Sequence, residues 1–487
     1  MPDLQFATEP LRRLVEQDAR LAAAAAHADE NVVCTVATRT VSGKQIQLFR
    51  GRIDNSNYAD FKLAPAAADS AAAYLERLGF RVASVGRFGI TVSGPSALFR
   101  DVLKVPMAIN AVPRRVAATS EPRMLSWSPD PPRPEQLFAS PTSGISVRAT
   151  QVNDACDHFV FIPPPIYTSA IPPAPLPRYW HLSLAQVRHL LNADHVPQTG
   201  SGVGVVIIDS GFYLDHPHFA GRTFPRVSIQ AGPIQADELG HGTLVFANAL
   251  AIAPGADYTL MKFALAFAAA AIDSAAALRP KVLSCSWGWP NEQVFPTIEL
   301  SIRAAVLEDG ITMLFASGNG DACWPSSMPE VIAVGGVYAD AGANLSASSF
   351  ASGFASNNYP PRIVPDVSGL VGPFPNGVYL VLPTSPASPV DASLSAAAYP
   401  VGDETSATDG WVVASGTSSA TSQIAGIVAL LFEKNPALKP ADVKRILTQS
   451  ATPVETGVNA LGIPAFGHPN AAVGYGLVNA AAALSVA

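Results

Sequence analysis

Ser418 lies in the run Ser415-Gly416-Thr417-Ser418-Ser419-Ala420, a small-residue turn that feeds directly into the apolar stretch 423–431. A serine so placed has its hydroxyl at a helix N-terminus, where unpaired N–H groups and the helix dipole favour developing negative charge. Alone, such a residue is as well explained as a helix cap. Other polar residues change the balance. Asp209 follows the apolar run 203–208, His241 opens the apolar run 244–250 between Gly240 and Gly242, and Asn319 closes the apolar run 313–316. A serine hydroxyl is a weak nucleophile until a base takes its proton, and that base needs a partner to fix its tautomer. The negative oxygen that develops on an attacked carbonyl needs donors already in place. Asp209, His241, Asn319 and Ser418 are the residue types that acyl transfer requires. Their chain order, Asp before His before Ser, matches one of the separate orders in which such triads occur.

The elements that have to position these residues are legible around them. Apolar runs at 203–208, 258–261, 281–285 and 311–315 alternate with helical patterns, one of them at 297–308. Near-continuous apolar strands alternating with helices predict a buried parallel sheet, and in such sheets chemistry collects at the carboxyl ends of the strands. Asp209 and Asn319 both stand at such ends. This pattern occupies 178–487 and predicts an α/β three-layer domain around a mostly parallel sheet. Ahead of it, 30–112 reads as a strand at 31–37, a helix at 66–78, strands at 81–85 and 89–93, and a helix at 96–103. That order is the split βαβ arrangement of a small α+β, ferredoxin-like domain. Residues 1–29 are expected to be a helical or flexible lead-in. The stretch 113–177 holds a large share of the 43 prolines and reads as an extended linker, with 160–162 the part expected to dock.

Composition narrows the partners. Hydrophobic residues make up 48% of the 487, charged residues 14%, and the net charge is −7. With no basic block, phosphate binding has no footing, so no nucleic-acid partner is expected. No apolar run is long enough to span a bilayer, and the first residues lack the basic and apolar regions of an export signal. No membrane association and a cytoplasmic location are therefore expected, with secretion by a non-classical route left open. The four cysteines are too few for a disulfide scaffold and show no Cys-x-x-Cys spacing. Neither a metal nor another cofactor is expected.

The segments 206–211 with Asp215-His216-Pro217, Gly240-His241-Gly242-Thr243, 316–320 with Trp324-Pro325-Ser326-Ser327, and Gly416-Thr417-Ser418-Ser419-Ala420 resemble the ordered motifs of the subtilase family of serine endopeptidases. Pro365-Asp366-Val367-Ser368 is similar to the strand that precedes the family's serine motif. The resemblance covers the chain from about residue 178 to its end. It implies hydrolysis of peptide bonds in a polypeptide substrate through an acyl-enzyme. Asp209 then orients, His241 is the general base, Ser418 the nucleophile and Asn319 an oxyanion-hole donor. Ser286, Trp287, Gly288 and Trp289 then lie along the substrate-binding edge. The segment 74–94 resembles the ferredoxin-like pro-domain of sedolisin peptidases. That likeness implies an intramolecular pro-domain and a zymogen.

Several departures from the family pattern bear on specificity. The run 249–256 passes straight to the next strand, without the inserted oxygen-rich loop that often binds calcium there, and His218 stands where a liganding aspartate is common. His216 and His218 form a His-x-His pair, expected to be one packed and one exposed histidine rather than metal ligands. After Lys262 an alanine run replaces the usual glycine-rich strand. The indoles of Trp287 and Trp289 either narrow the primary specificity pocket or pack behind it. Residues 376–410 read as an exposed, lid-like insertion. Besides a general endopeptidase, the residues leave two alternatives: a silent peptide-binding protein, and an enzyme dedicated to one peptide precursor.

Overall fold

A computed structural model describes residues 4–112, 136–148, 156–163, 180–229, 234–372, 378–394, 405–406 and 408–487. The chain begins with helices α1 (Glu9–Gln17) and α2 (Ala19–Glu30) and strand β1 (Val32–Ala37). Helix α3 (Pro65–Arg77), strands β2 (Arg81–Val85) and β3 (Ile90–Gly94) and helix α4 (Ser96–Leu103) follow. The strand–helix–strand–strand–helix order legible in the sequence is thus present.

The stretch 113–177 differs from a plain linker. Strand β4 (Met107–Val112) pairs with β5 (Gln136–Pro141), and β6 (Ser146–Arg148) pairs with β7 (His158–Val160). Strand β7 in turn lies antiparallel to β1, completing a five-stranded sheet in the order β2-β3-β1-β7-β6. The physical reason is aromatic burial. Phe159 and Phe161 are fully buried, their rings 6.2 Å from Phe80 and 5.5 Å from Phe99 respectively. High proline content masks these short strands, because proline is tolerated at strand ends. The rest of 113–177 lies outside the described residues.

The second unit starts at β8 (Trp180–Leu182) and α5 (Leu184–Leu190), whose Ser183 and Gln186 form a capping box. Strands β9 (Gly204–Asp209) and β10 (Arg226–Ser228), helix α6 (His241–Ile252), strand β11 (Asp257–Lys262) and helix α7 (Ala268–Ala277) follow. Next come β12 (Val282–Cys285), α8 (Pro296–Leu307), β13 (Thr312–Ala316), β14 (Ile332–Ala339) and β15 (Leu345–Ala347). Short strands β16 (Phe354–Ala355) and β17 (Ile363–Val364) precede β18 (Val367–Leu370). The chain ends through β19 (Val378–Pro383), α9 (Pro389–Leu394), β20 (Trp411–Ala414), α10 (Thr417–Lys434), α11 (Pro440–Ser450) and α12 (Ala480–Ser485).

The central eight-stranded sheet runs β10-β11-β9-β12-β13-β14-β15, with β18 also on β14. Every pairing in it is parallel except β14 with β15. Strand β9 shows why its sequence is apolar throughout. Val205 and Ile207 enter a core with Leu244, Val245, Ile424 and Ile427 of α6 and α10. Val206 and Ile208 enter the opposite core with Ile272, Ile298 and Ile302 of α7 and α8. A sheet covered on both faces cannot alternate apolar with polar. Each such side chain contributes about 1.5–3 kcal/mol by leaving water.

Helices α6 and α10 are buried nearly all round and pack closely on one another. A Cβ on Gly426 would stand 2.7 Å from Ile252 Cβ, so only glycine permits this approach. Inside the contact, Gln423 Nε2 donates to Asn248 Oδ1 (3.1 Å) and Leu370 O (3.1 Å), and Gln423 Oε1 accepts from Leu370 N–H (2.8 Å). A buried amide is tolerated only when paired in this way.

Candidate active site

Strands β9, β12 and β13 are neighbours, so their carboxyl ends deliver Asp209, Ser286 and Asn319 to one edge of the sheet. Helices α6 and α10 bring His241 and Ser418 to the same layer through their first turns. Asp209 is buried, and its Oδ1 lies 2.7 Å from His241 Nδ1. Asp209 Oδ1 also accepts from Ser210 N–H at 2.8 Å. Burial alone would push the His241 pKa down. The Asp209 charge and hydrogen bond outweigh it, Asp237 adds to them, and the net pKa is raised above the ordinary value. An imidazole held at Nδ1 by a carboxylate has its tautomer set, with Nε2 left to take a proton.

The backbone permits this pair only because of Gly242. A Cβ there would stand 2.1 Å from Gly211 O and 3.1 Å from Asp209 Cβ. Glycine lets the first turn of α6 lie directly on the loop that follows β9.

Ser418 and Ser286 are cross-linked. The Ser418 hydroxyl donates to Ser286 O (3.2 Å), and the Ser286 hydroxyl donates to Ser418 O (2.9 Å). Asn319 is oriented by its oxygen, which accepts from Thr417 N–H (2.9 Å) and the Thr417 hydroxyl (3.0 Å). A point one bond from Gly416 Cα is 3.5 Å from Asn319 Nδ2 and 3.8 Å from Ser418 N. Asn319 Nδ2 and Ser418 N thus both lie close to Gly416, beside the serine.

Of the two roles left open for the indoles, the structure shows packing. Trp287 and Trp289 are buried, with Trp287 Nε1 donating to Ile208 O (2.9 Å). Their rings stand 5.8 Å apart, and those of Trp289 and Trp324 5.6 Å apart. Main-chain bonds of 2.7 and 2.9 Å join Trp289 to Trp324 in both directions. Trp289 Nε1 also donates to Pro163 O (3.2 Å), and Ile162 joins the same apolar cluster. The chain leaving β7 therefore reaches Trp289 of the predicted substrate-binding edge.

His216 is buried against Trp411, with ring centroids 4.8 Å apart, and His218 beside it is exposed. Burial lowers the His216 pKa. Part of the 376–410 insertion is built into the unit: β19 pairs with β20 and with β8. Thr384 from this insertion donates to Gly240 O (2.8 Å), directly behind His241. Residues 373–377, 395–404 and 407 lie outside the described residues.

Sequence reasoning missed Asp237. Its Oδ1 accepts from the Ser210 hydroxyl (2.8 Å) and Gly240 N–H (2.9 Å). Its Oδ2 accepts from Thr243 N–H (2.9 Å) and the Thr243 hydroxyl (2.6 Å). One buried carboxylate therefore fastens the loop after β9 to the first turn of α6. Burial raises its pKa, and these donors only partly offset that. The only local signal was an acid shortly before a helix start. Lys262 was also missed in this role. Its buried ammonium donates to Ala236 O (2.9 Å) and to Glu238 (2.6 Å), bracing the same loop.

With this geometry in hand, likenesses to known proteins are informative. A family model described as the subtilase family matches residues 200–476. The calcium-dependent protease of a Nostoc species is 28% identical over 342 residues, 59% of this chain and 47% of that protein. Subtilisin-like protease 3 of Pseudogymnoascus destructans is 28% identical over 158 residues, 28% of this chain and 38% of that protein. The chain thus spans less than half the length of these relatives. Among solved structures, fervidolysin from Fervidobacterium pennivorans, a keratinolytic enzyme related to subtilisin, superimposes with a TM-score of 0.53. That match covers 93% of this chain and 61% of fervidolysin at 16% identity, and it shows a shared fold. With more than half of its length matched by the family model, the chain belongs to the subtilase family.

Proposed function

We propose that the protein is a serine endopeptidase that hydrolyses peptide bonds through Asp209, His241 and Ser418. The observation that carries this is the buried Asp209–His241 hydrogen bond of 2.7 Å on the same sheet edge as Ser418. Ser418 Oγ passes its proton to His241 Nε2 and attacks the carbonyl carbon of the substrate. The oxyanion is received by Asn319 Nδ2 and Ser418 N–H. Collapse breaks the C–N bond, His241 returns the proton to the leaving amine, and water repeats the sequence to free the acyl group.

The N-terminal unit, in this proposal, is an intramolecular pro-domain. Support comes from Ile162 and Pro163, which occupy the Trp289 edge that a substrate would use. Its removal by cleavage within 113–177 would clear that edge. The test is hydrolysis of an unfolded protein substrate by the wild type and by Ser418→Ala, with the intact mass of both recorded. Hydrolysis and a shortened mass in the wild type alone are expected. Equal hydrolysis by Ser418→Ala would overturn the proposal.

A further inference from the structure

The last turn of α5 and the turn after it gather ligand groups that the catalytic reaction does not use. His189 Nδ1 lies 2.8 Å from one oxygen of Asp194, and His195 Nε2 lies 3.4 Å from the other. The two imidazole rings stand 5.5 Å apart, and one ligand atom from each of the three residues falls within 4.8 Å of the others. One carboxylate therefore hydrogen-bonds one imidazole and stands close to a second.

The platform beneath them is fixed by the backbone. Asn192 turns with φ of 55°, Asn192 N–H donates to His189 O (2.9 Å), and Ala193 N–H donates to Arg188 O (2.9 Å). Ala193 is fully buried, and the Arg188 side chain donates back to Ala193 O at 3.3 Å. These bonds close the helix end and hold His189 over Asp194. All three ligand residues stay open to solvent, so an ion can reach them without any part of the fold opening.

We propose that His189, Asp194 and His195 bind a divalent transition-metal ion of the zinc class. Two imidazole nitrogens with one carboxylate oxygen is a donor set that suits zinc, cobalt, nickel or copper. Calcium prefers six to eight oxygen ligands and magnesium keeps most of its water, so neither matches. Ligand atoms around a zinc-class ion stand a little over 3 Å apart, about twice the sine of half the tetrahedral angle times a bond of ~2 Å. The 2.8 and 3.4 Å separations run to different oxygens of Asp194 and the three ligand atoms lie within 4.8 Å of one another, so the exposed side chains rotate to reach that spacing around the ion. Water completes the coordination. The ion replaces the proton that otherwise joins His189 to the carboxylate, and it staples the end of α5 to the residues that follow. These residues lie near the beginning of the catalytic unit, so the staple fixes that beginning in place.

The spacing, a histidine followed five residues later by Asp-His, is too plain to stand out in the sequence. It becomes a site only because the α5 terminus folds it back on itself.

The test uses the full chain and the metal ions alone. Zinc uptake is measured by equilibrium dialysis, and cobalt binding by its visible absorption, for the wild type and for His189→Ala, His195→Ala and Asp194→Asn. All three side chains are exposed, so circular dichroism should show the variants folded. The expected result is one tight zinc equivalent per wild-type chain, not displaced by excess calcium. At least a tenfold loss of affinity is expected in each variant. Absence of uptake by the wild type, or uptake unchanged in the His189→Ala/His195→Ala double variant, would overturn the proposal.

Discussion

The two faces of the central sheet are buried in different ways. On one face, α6 and α10 are buried nearly all round, approach to within the space that Gly426 leaves, and start with His241 and, at its second residue, Ser418. On the other, α7 and α8 bury one side on the sheet and carry charge on the side that meets the N-terminal unit. Asp273 of α7 accepts from Arg87 N–H at 3.1 Å, and Arg87 also reaches Asp309 at 2.9 Å. Glu308, just past α8, takes Lys62 at 2.7 Å and the Tyr58 hydroxyl at 2.8 Å. Arg303 of α8 binds Asn55 Oδ1 (2.7 Å), Glu299 (3.0 Å) and Glu330. Apolar contact of Phe61 and Phe88 with Leu300 and Ala304 lies between these pairs.

The contrast separates a dry interface from one that carries charge. A dry, glycine-spaced helix contact loses much if it opens, because nothing in water replaces its packing. The partly exposed pairs of Lys62 with Glu308 and Arg87 with Asp309 lose less, since water and salt can take over their charges, whereas the buried Arg303 pairs with Glu299 and Glu330 lie within the catalytic unit. The proposed catalytic residues start on the dry face, and the N-terminal unit docks on the charged one.

The largest effect should come from breaking the first face at its polar end. Asp209→Asn is expected to lower kcat by about 10⁴-fold, the loss seen for triad aspartates in general. It also removes what raises the His241 pKa. The wild-type kcat/KM should rise with pH through a midpoint above the ordinary histidine value of about 6.5, as His241 loses its proton. In Asp209→Asn that midpoint should move to lower pH, because burial is then opposed by Asp237 alone. A pH profile of both proteins checks it, and an unmoved midpoint would refute the assignment.

Asn319→Ala should cost about 10²–10³-fold in kcat with little change in KM. That magnitude was measured for the equivalent role in subtilisin and is borrowed from there. Steady-state kinetics on a small peptide substrate would show it.

On the second face, Asp273→Ala leaves Arg87 without its most buried partner. Separately prepared N-terminal and catalytic pieces, where both fold, should bind one another about 10- to 100-fold more weakly, matching a loss of about 1.5–3 kcal/mol for a charged hydrogen bond. Activity of the catalytic piece alone should not change. Titration calorimetry and kinetics together test that split.

Glu308→Gln should have the smallest effect. Burial opposes the Glu308 charge, but Lys62 and Tyr58 hold its carboxyl below the ordinary value. Its contribution is therefore present above the ordinary carboxylate range and fades as pH falls through the lowered value. Partial exposure limits it to less than about 1 kcal/mol. The stabilities of the wild type and the variant should differ slightly at neutral pH and converge in acid.

The same contrast explains what was legible in the sequence. Asp209, His241, Asn319 and Ser418 were visible because each stands where an apolar run starts or stops, a signal carried by a few adjacent residues. The strands around them were visible because burial on both faces makes them apolar throughout, as in β9. Asp237 was not visible, since it works by hydrogen bonds to backbone groups that any sequence supplies. The Arg87–Asp273 and Tyr58–Glu308 pairs join residues 186 and 250 positions apart, and no local pattern encodes such a meeting. Strands β5 to β7 were masked by the prolines around them. The indoles of Trp287 and Trp289 could be assigned to packing only once Phe263, Phe315 and Trp324 were seen around them.

The central claim is that Asp209 and His241 make Ser418 a nucleophile. Its most direct test is to cleave the wild type and the variants within 113–177 with an added protease, treat them with a fluorophosphonate and locate the adduct by peptide mass spectrometry. One adduct on Ser418 is predicted for the wild type, greatly slowed in His241→Ala and lost in Ser418→Ala. An adduct on another residue, or equally fast labelling of Ser418 in His241→Ala, would contradict the account.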